Sequence, residues 1–211
     1  MQKILTSNMH VLLAASSDEM TRMESAGLLA EIGVPAVPHL VEALYSESHD
    51  VIKYAAGTLG VIGPDARGAL PTLIVMMKDE HPLRRRSALA LIGYIGPDAY
   101  EAIDELMPFL GDPDPLICGR AVESLGRIGP RALIAAPRIH TLMRHKDWGV
   151  RARAIESLEK MCALTPEVIQ NIYRARLDPH PSVRKTALDT LTRIAPPLST
   201  LPSKGPWGTI S

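Results

Sequence analysis

The segment Asp147-Trp148-Gly149-Val150-Arg151-Ala152-Arg153 sets an indole beside two guanidinium groups. That combination can stack on a nucleobase while its cations hold phosphate. Trp148, Arg151 and Arg153 are therefore the nucleic-acid candidates of this chain. Arg84-Arg85-Arg86 invites the same reading, since clustered guanidinium groups neutralise phosphates. Other chemistry finds few residues. Cys118 and Cys162 lie far apart and have no Cys/His neighbours at zinc-binding spacing. Nucleophile motifs and phosphate-cradling glycine loops are absent, so the sequence predicts no catalytic residue, no cofactor and no metal.

The elements that would carry these residues follow from a repeat. Ile62-Gly63-Pro64, Ile95-Gly96-Pro97 and Ile128-Gly129-Pro130 recur every 33 residues. The same register aligns Ala55, Ala88, Ala121, Ala154 and Ala187; then Leu59, Ile92, Leu125, Leu158 and Leu191; then Ile62, Ile95, Ile128, Met161 and Ile194. Apolar residues at i, i+4 and i+7 mark one face of a helix. This helix, A, starts after a turn holding Ser48, His81, Asp114, Asp147 or His180, with proline next at 82, 115 and 181, as suits the unpaired N–H groups of a first turn. It is expected near 18–32, 50–62, 83–95, 116–128, 148–161 and 181–194. Glycine in a left-handed cap, then proline, should end it.

A second helix, B, is expected near 35–46, 66–79, 99–111, 132–144 and 165–177, with columns Leu40, Leu73, Leu106, Ile139, Ile172 and Leu44, Met77, Leu110, Met143. One hairpin cannot bury its apolar stripe, whereas stacked copies share a core. The fold class is therefore all-α, a solenoid of stacked antiparallel helical hairpins forming one domain over 1–194. Residues 1–17 supply an N-terminal capping helix, and 195–211, rich in Pro and Gly and carrying Trp207, form a flexible tail.

The 33-residue register reassigns several of the candidates. Trp148 occupies the proline column, and His81 and His180 the capping column. His140 shares a column with Ile74, Met107 and Tyr173, as a partly buried packing residue would. Arg85 aligns with Arg151 and Arg184, and Asp79 and Asp178 stand six residues before Arg85 and Arg184. That spacing suits a ladder tying neighbouring hairpins, which would leave Arg84 and Arg86 free.

The helix A pattern from Asp178 to Ala195, with Val183-Arg184 and Ala187, and the Asp-to-Arg spacing resemble HEAT repeats. The 33-residue length and the Ala-x3-Leu-x2-Ile-Gly ending look most like short bacterial HEAT-like repeats of the phycobilisome-lyase type. The resemblance implies a right-handed, armadillo-like superhelix with the B helices along its concave face. It also implies a non-enzymatic scaffold or adaptor binding a protein partner there, with nucleic acid the weaker choice. Off the apolar columns, the B helices carry His39, Thr72, Glu105, Arg138 and Asn171 in one stripe and Glu42, Val75, Pro108, Thr141 and Arg174 in another, extended by Tyr45, Lys78 and Arg144. These are the expected partner-binding residues. The alternatives that the resemblance implies are a lyase or chaperone for a bilin-bearing protein and a HEAT-like nucleic-acid binder. The His-Glu dipeptides with which HEAT-like hydroxylases bind iron do not occur here.

Composition agrees with a helical scaffold. The chain has 211 residues, 46% hydrophobic but only 4% aromatic, too few for the large aromatic columns of tetratricopeptide repeats. No apolar run approaches the ~20 residues that span a bilayer, and two cysteines suit a reducing cytoplasm. The net charge of zero hides a polarity. Residues 1–117 hold 8 Lys+Arg against 16 Asp+Glu, and residues 118–211 hold 15 against 7. Opposite poles can steer an extended partner or promote self-association.

Overall fold

A computed structural model describes residues 19–194, with side chains from residue 23. The capping helix expected over 1–17 and the tail expected over 195–211 lie outside the described residues. The A helices are α1 (Glu19–Ile32), α3 (His49–Ile62), α5 (Pro82–Ile95), α7 (Pro115–Ile128), α9 (Trp148–Lys160) and α11 (Pro181–Ile194). The B helices are α2 (Val37–Ala43), α4 (Leu70–Met76), α6 (Ile103–Leu106), α8 (Ala136–Leu142) and α10 (Pro166–Ala175). No strand occurs among the described residues.

Successive A helices pack directly on one another along the whole row, α1 on α3 through α9 on α11. Each B helix packs against the A helix that follows it. The molecule is thus a stack of hairpins sharing one core. Ala55, Ala88, Ala121, Ala154 and Ala187 are wholly buried, and so are Ile92, Leu125 and Leu158. Each fully buried Leu or Ile contributes roughly 1.5–3 kcal/mol.

The B helices are shorter than the apolar pattern suggests. Gly63–Ala69, Gly96–Ala102 and Gly129–Ala135 form 3-10 turns, and an α-helix starts only afterwards. Pro71 and Pro137 stand at the second position of α4 and α8; lacking an N–H, and crowding the carbonyl four residues back, they prevent one continuous α-helix. Pro108 acts from the other side, ending α6 at Leu106 and turning Met107–Gly111 into another 3-10 segment. The exception is α10, where Thr165 accepts a hydrogen bond from the Val168 N–H and Pro166 opens the helix, so α-geometry runs through to Ala175. Thr165→Ala should cost about 1 kcal/mol. Thermal melting would show that loss, and an unchanged midpoint would mean that the cap is idle.

The glycines that end helix A do not adopt the left-handed cap expected of them. Gly63, Gly96 and Gly129 have φ of 61°, 73° and 80° with ψ of −126°, −138° and −144°, a region open essentially to glycine alone. Each still donates its N–H to the helix, to the carbonyls of Leu59, Ile92 and Leu125. Cys162 holds the same column with φ of 57°.

Candidate partner-binding surface

The capping turns position the A helices. Ser48, Asp114 and Asp147 accept hydrogen bonds from the N–H groups of Val51, Leu116 and Val150. His81 occupies the same column but makes no side-chain cap. Its Nδ1 is buried without a partner among the described residues.

The arginine column does not form the expected ladder between hairpins: its members cap their own turns, and only Arg151 also crosses to the next hairpin. Arg85 donates to the Asp79 and Glu80 carbonyls, Arg151 to those of His145 and Lys146, and Arg184 to those of Asp178 and Pro179. These carbonyls follow the preceding B helix, where cations offset unpaired C=O groups. Arg151 also reaches the next hairpin, with Nε and Nη2 each 2.8 Å from an Asp178 carboxylate oxygen. Arg84, expected to be free, is the cross-hairpin tie of its own repeat. It donates to the Tyr45 carbonyl at 2.8 Å and the Ser46 carbonyl at 3.2 Å, and its guanidinium lies 5.7 Å from the Tyr45 ring centroid. The reason is that this tie is fixed by how hairpins stack, which an i-to-i+6 spacing within one repeat does not encode.

The Trp148 segment is equally engaged. The indole, 45% exposed, stacks on His180 with centroids 4.0 Å apart and planes inclined by 6°. Arg153 lies against Gly119 and 3.5 Å from the Glu123 carboxylate, which Arg120 and Arg127 also pair with. Trp148, Arg151 and Arg153 therefore each already have a partner within the solenoid.

The B stripes reach the surface. Glu42, Tyr45, Val75, Lys78, Arg138, Thr141, Arg144 and Arg174 are exposed, while His39, Thr72, Glu105 and Asn171 are half-buried. Stacking brings some together across hairpins: Lys78 Nζ lies 2.6 Å from Glu105 Oε2, and Asn171 Nδ2 2.7 Å from His140 Nε2. Arg174 donates to Asn171 Oδ1 at 3.3 Å, and the Arg138 guanidinium packs over Gly111 of the preceding turn. Thr141 turns back to its own helix, donating to the Arg138 carbonyl. Val75, 69% exposed, offers an uncovered apolar side chain.

Electrostatics adds two perturbed carboxylates. Burial pushes Asp178 up, but the Arg151 hydrogen bonds, the His180 N–H and the charges of both residues outweigh it, leaving the group below its usual value. Glu159 is held down chiefly by Arg193, helped by Thr190, against its own burial. Burial raises the Cys118 thiol, which keeps it protonated and poorly nucleophilic. No group of three or more His, Cys, Asp or Glu side chains suited to a metal occurs among the described residues. None of their helices is long and apolar enough to cross a membrane.

One set of positioning residues was missed by the apolar columns. Ser124 Oγ donates to the Leu89 carbonyl at 2.5 Å and Ser157 Oγ to the Val122 carbonyl at 2.9 Å, both buried. Gly93 and Gly126 face those serines so closely that no Cβ would fit. The signal lay in the register, since these glycines and serines each recur at 33 residues.

The family model for HEAT repeats matches residues 70–136 and 103–192, together more than half of the chain. The chain belongs to the HEAT-repeat family. Solved structures agree on the fold. YibA of Escherichia coli superposes with a TM-score of 0.66 at 16% identity, over 90% of this HEAT-repeat chain and 71% of that one. A designed armadillo repeat protein in complex with the peptide (KR)4 gives a TM-score of 0.58 at 18% identity, over 88% and 97%. The CpcE–CpcF complex of phycocyanin lyase from Nostoc sp. PCC7120 gives only 0.46 at 17% identity, over 87% and 98%. No curated protein matches significantly.

Proposed function

We propose that this HEAT-repeat chain is a non-enzymatic scaffold that captures a protein partner along its B-helix surface. One observation carries the reading. The core columns repeat almost unchanged, while the B positions between them run through His, Thr, Glu, Arg and Asn, and Glu, Val, Pro, Thr and Arg, all at or near the surface. A repeated backbone with unrepeated surface chemistry suits recognition of an extended partner. The likeness in fold to an armadillo design that is in complex with the peptide (KR)4 supports this reading. A reducing cytoplasm fits the two free thiols, one buried and one exposed.

The test is site-specific photo-crosslinking in the native host. A photoreactive residue at Val75 should give protein adducts, and one at Val61, an exposed residue on helix A, should give none. Adducts from Val61 alone, or from neither position, would overturn the reading. Combined reversal at Arg138 and Arg174 should weaken capture of the crosslinked partner about tenfold, as expected for two exposed charge contacts, with the melting midpoint unchanged.

A further inference from the structure

Between α8 and α10 lies a cleft of about 210 Å³ whose walls include Arg144, Asn171, Arg174, Asp178, Met143 and Leu177. Its one carboxylate is already committed, because Asp178 receives both Arg151 nitrogens and the His180 N–H. Arg144 and Arg174 have no such compensation. No Asp or Glu oxygen lies within ion-pair distance of either among the described residues. Asn171 is drawn toward His140 and Arg174 and so helps to hold the Arg174 side chain. Two uncompensated guanidinium groups therefore border a cleft with apolar edges, one of them Leu177, 87% exposed.

We propose that this cleft takes a carboxylate side chain from an acidic segment of the partner, an inference that rests on the scaffold reading above. A guanidinium meets a carboxylate through paired N–H donors, and Met143 and Leu177 accept the methylenes of a glutamate or an adjacent aliphatic residue. The polarity of the chain selects a protein segment over a polynucleotide. A polyanion continuing along the stack would run from the basic half into residues 1–117, where acidic side chains outnumber basic ones two to one. A polypeptide can confine its acids to the end that meets Arg144 and Arg174.

The probe is a fluorescein-labelled peptide of four Glu-Leu-Gly repeats, titrated with the full chain at low salt and followed by anisotropy. The peptide should bind, and replacing its glutamates by glutamine should weaken it about tenfold or more. The Arg144→Glu/Arg174→Glu double variant should lose binding to a similar extent while keeping its melting midpoint. Arg131→Glu, whose guanidinium sits over Tyr100, should leave binding unchanged. Equal affinity for the Glu and Gln peptides, no binding of either, or an unaffected double variant would overturn the proposal. So would an oligothymidylate of similar length that binds as tightly as the Glu peptide. These outcomes are separable from failure of the scaffold reading, because crosslinking at Val75 reports a partner on the B surface whatever its charge.

Discussion

Gly126→Leu should lower stability by about 3 kcal/mol, which for a chain of this size means a melting midpoint down by roughly 6–12 °C. A Cβ at Gly126 would stand 2.7 Å from the Ser157 Cα, a backbone atom with no freedom to step aside. Ser157 is itself tied to α7 through its hydrogen bond to the Val122 carbonyl. The larger side chain must therefore pry α7 from α9 along their shared face, and the core columns that this contact closes would open with it. The favourable helix propensity of leucine over glycine, about 0.8 kcal/mol, offsets only a fraction. Gly57 is the control: a Cβ there meets nothing within 4 Å, so Gly57→Ala should stabilise α3 by about 0.5–1 kcal/mol. Differential scanning calorimetry on both variants decides the matter. A Gly126→Leu midpoint equal to wild type would show that the two A helices can separate without cost.

Arg151→Met should cost about 2–3 kcal/mol near neutral pH. The substitution removes two charge-assisted bonds to Asp178 and two more to the His145 and Lys146 carbonyls. It also strands a carboxylate whose side chain is only 10% exposed. Adding Asp178→Asn should recover part of the loss, because the orphaned charge goes with it. The pH dependence has a definite sign. Asp178 is depressed in the folded state, so its stabilisation is complete above the ordinary aspartate value of about 3.9 and disappears as pH falls through the folded value. The gap between wild type and Arg151→Met should narrow as the medium is acidified below about pH 4, down to the part that the His145 and Lys146 carbonyl bonds contribute. Glu159, held down by Arg193, adds a loss of the same sign to both proteins and so leaves the difference intact. Denaturant titrations at neutral and acidic pH measure it, and a gap that widened with acid would contradict the assignment.

The elements of this HEAT-repeat protein were legible because they depend on local chemistry. Period-33 apolar columns, polar caps and glycine stops place the A helices within a residue or so of where they lie. The B helices were legible as apolar stripes but overextended, since an apolar pattern does not distinguish an α-helix from a 3-10 turn in the same register. Pro71, Pro108 and Pro137 were visible throughout, and their effect on helix continuity follows from a missing N–H and a ring clash.

Contacts between repeats divide differently. Arg84 and Arg85 are neighbours of one residue type, yet one ties back to Tyr45 and Ser46 while the other caps its own turn. The partner of Arg151 was equally hidden, because Asp178 is 27 residues away and belongs to the next hairpin. By itself the sequence determined the repeat, its helices and its core, each of which follows from backbone preference and apolar spacing within about 33 residues. Only the stacked structure decided which cations are consumed in holding hairpins together and which, like Arg144 and Arg174, are left facing outward. Ion pairing depends on distances of a few ångströms across an interface, and the angle at which one hairpin sits on the next sets those distances.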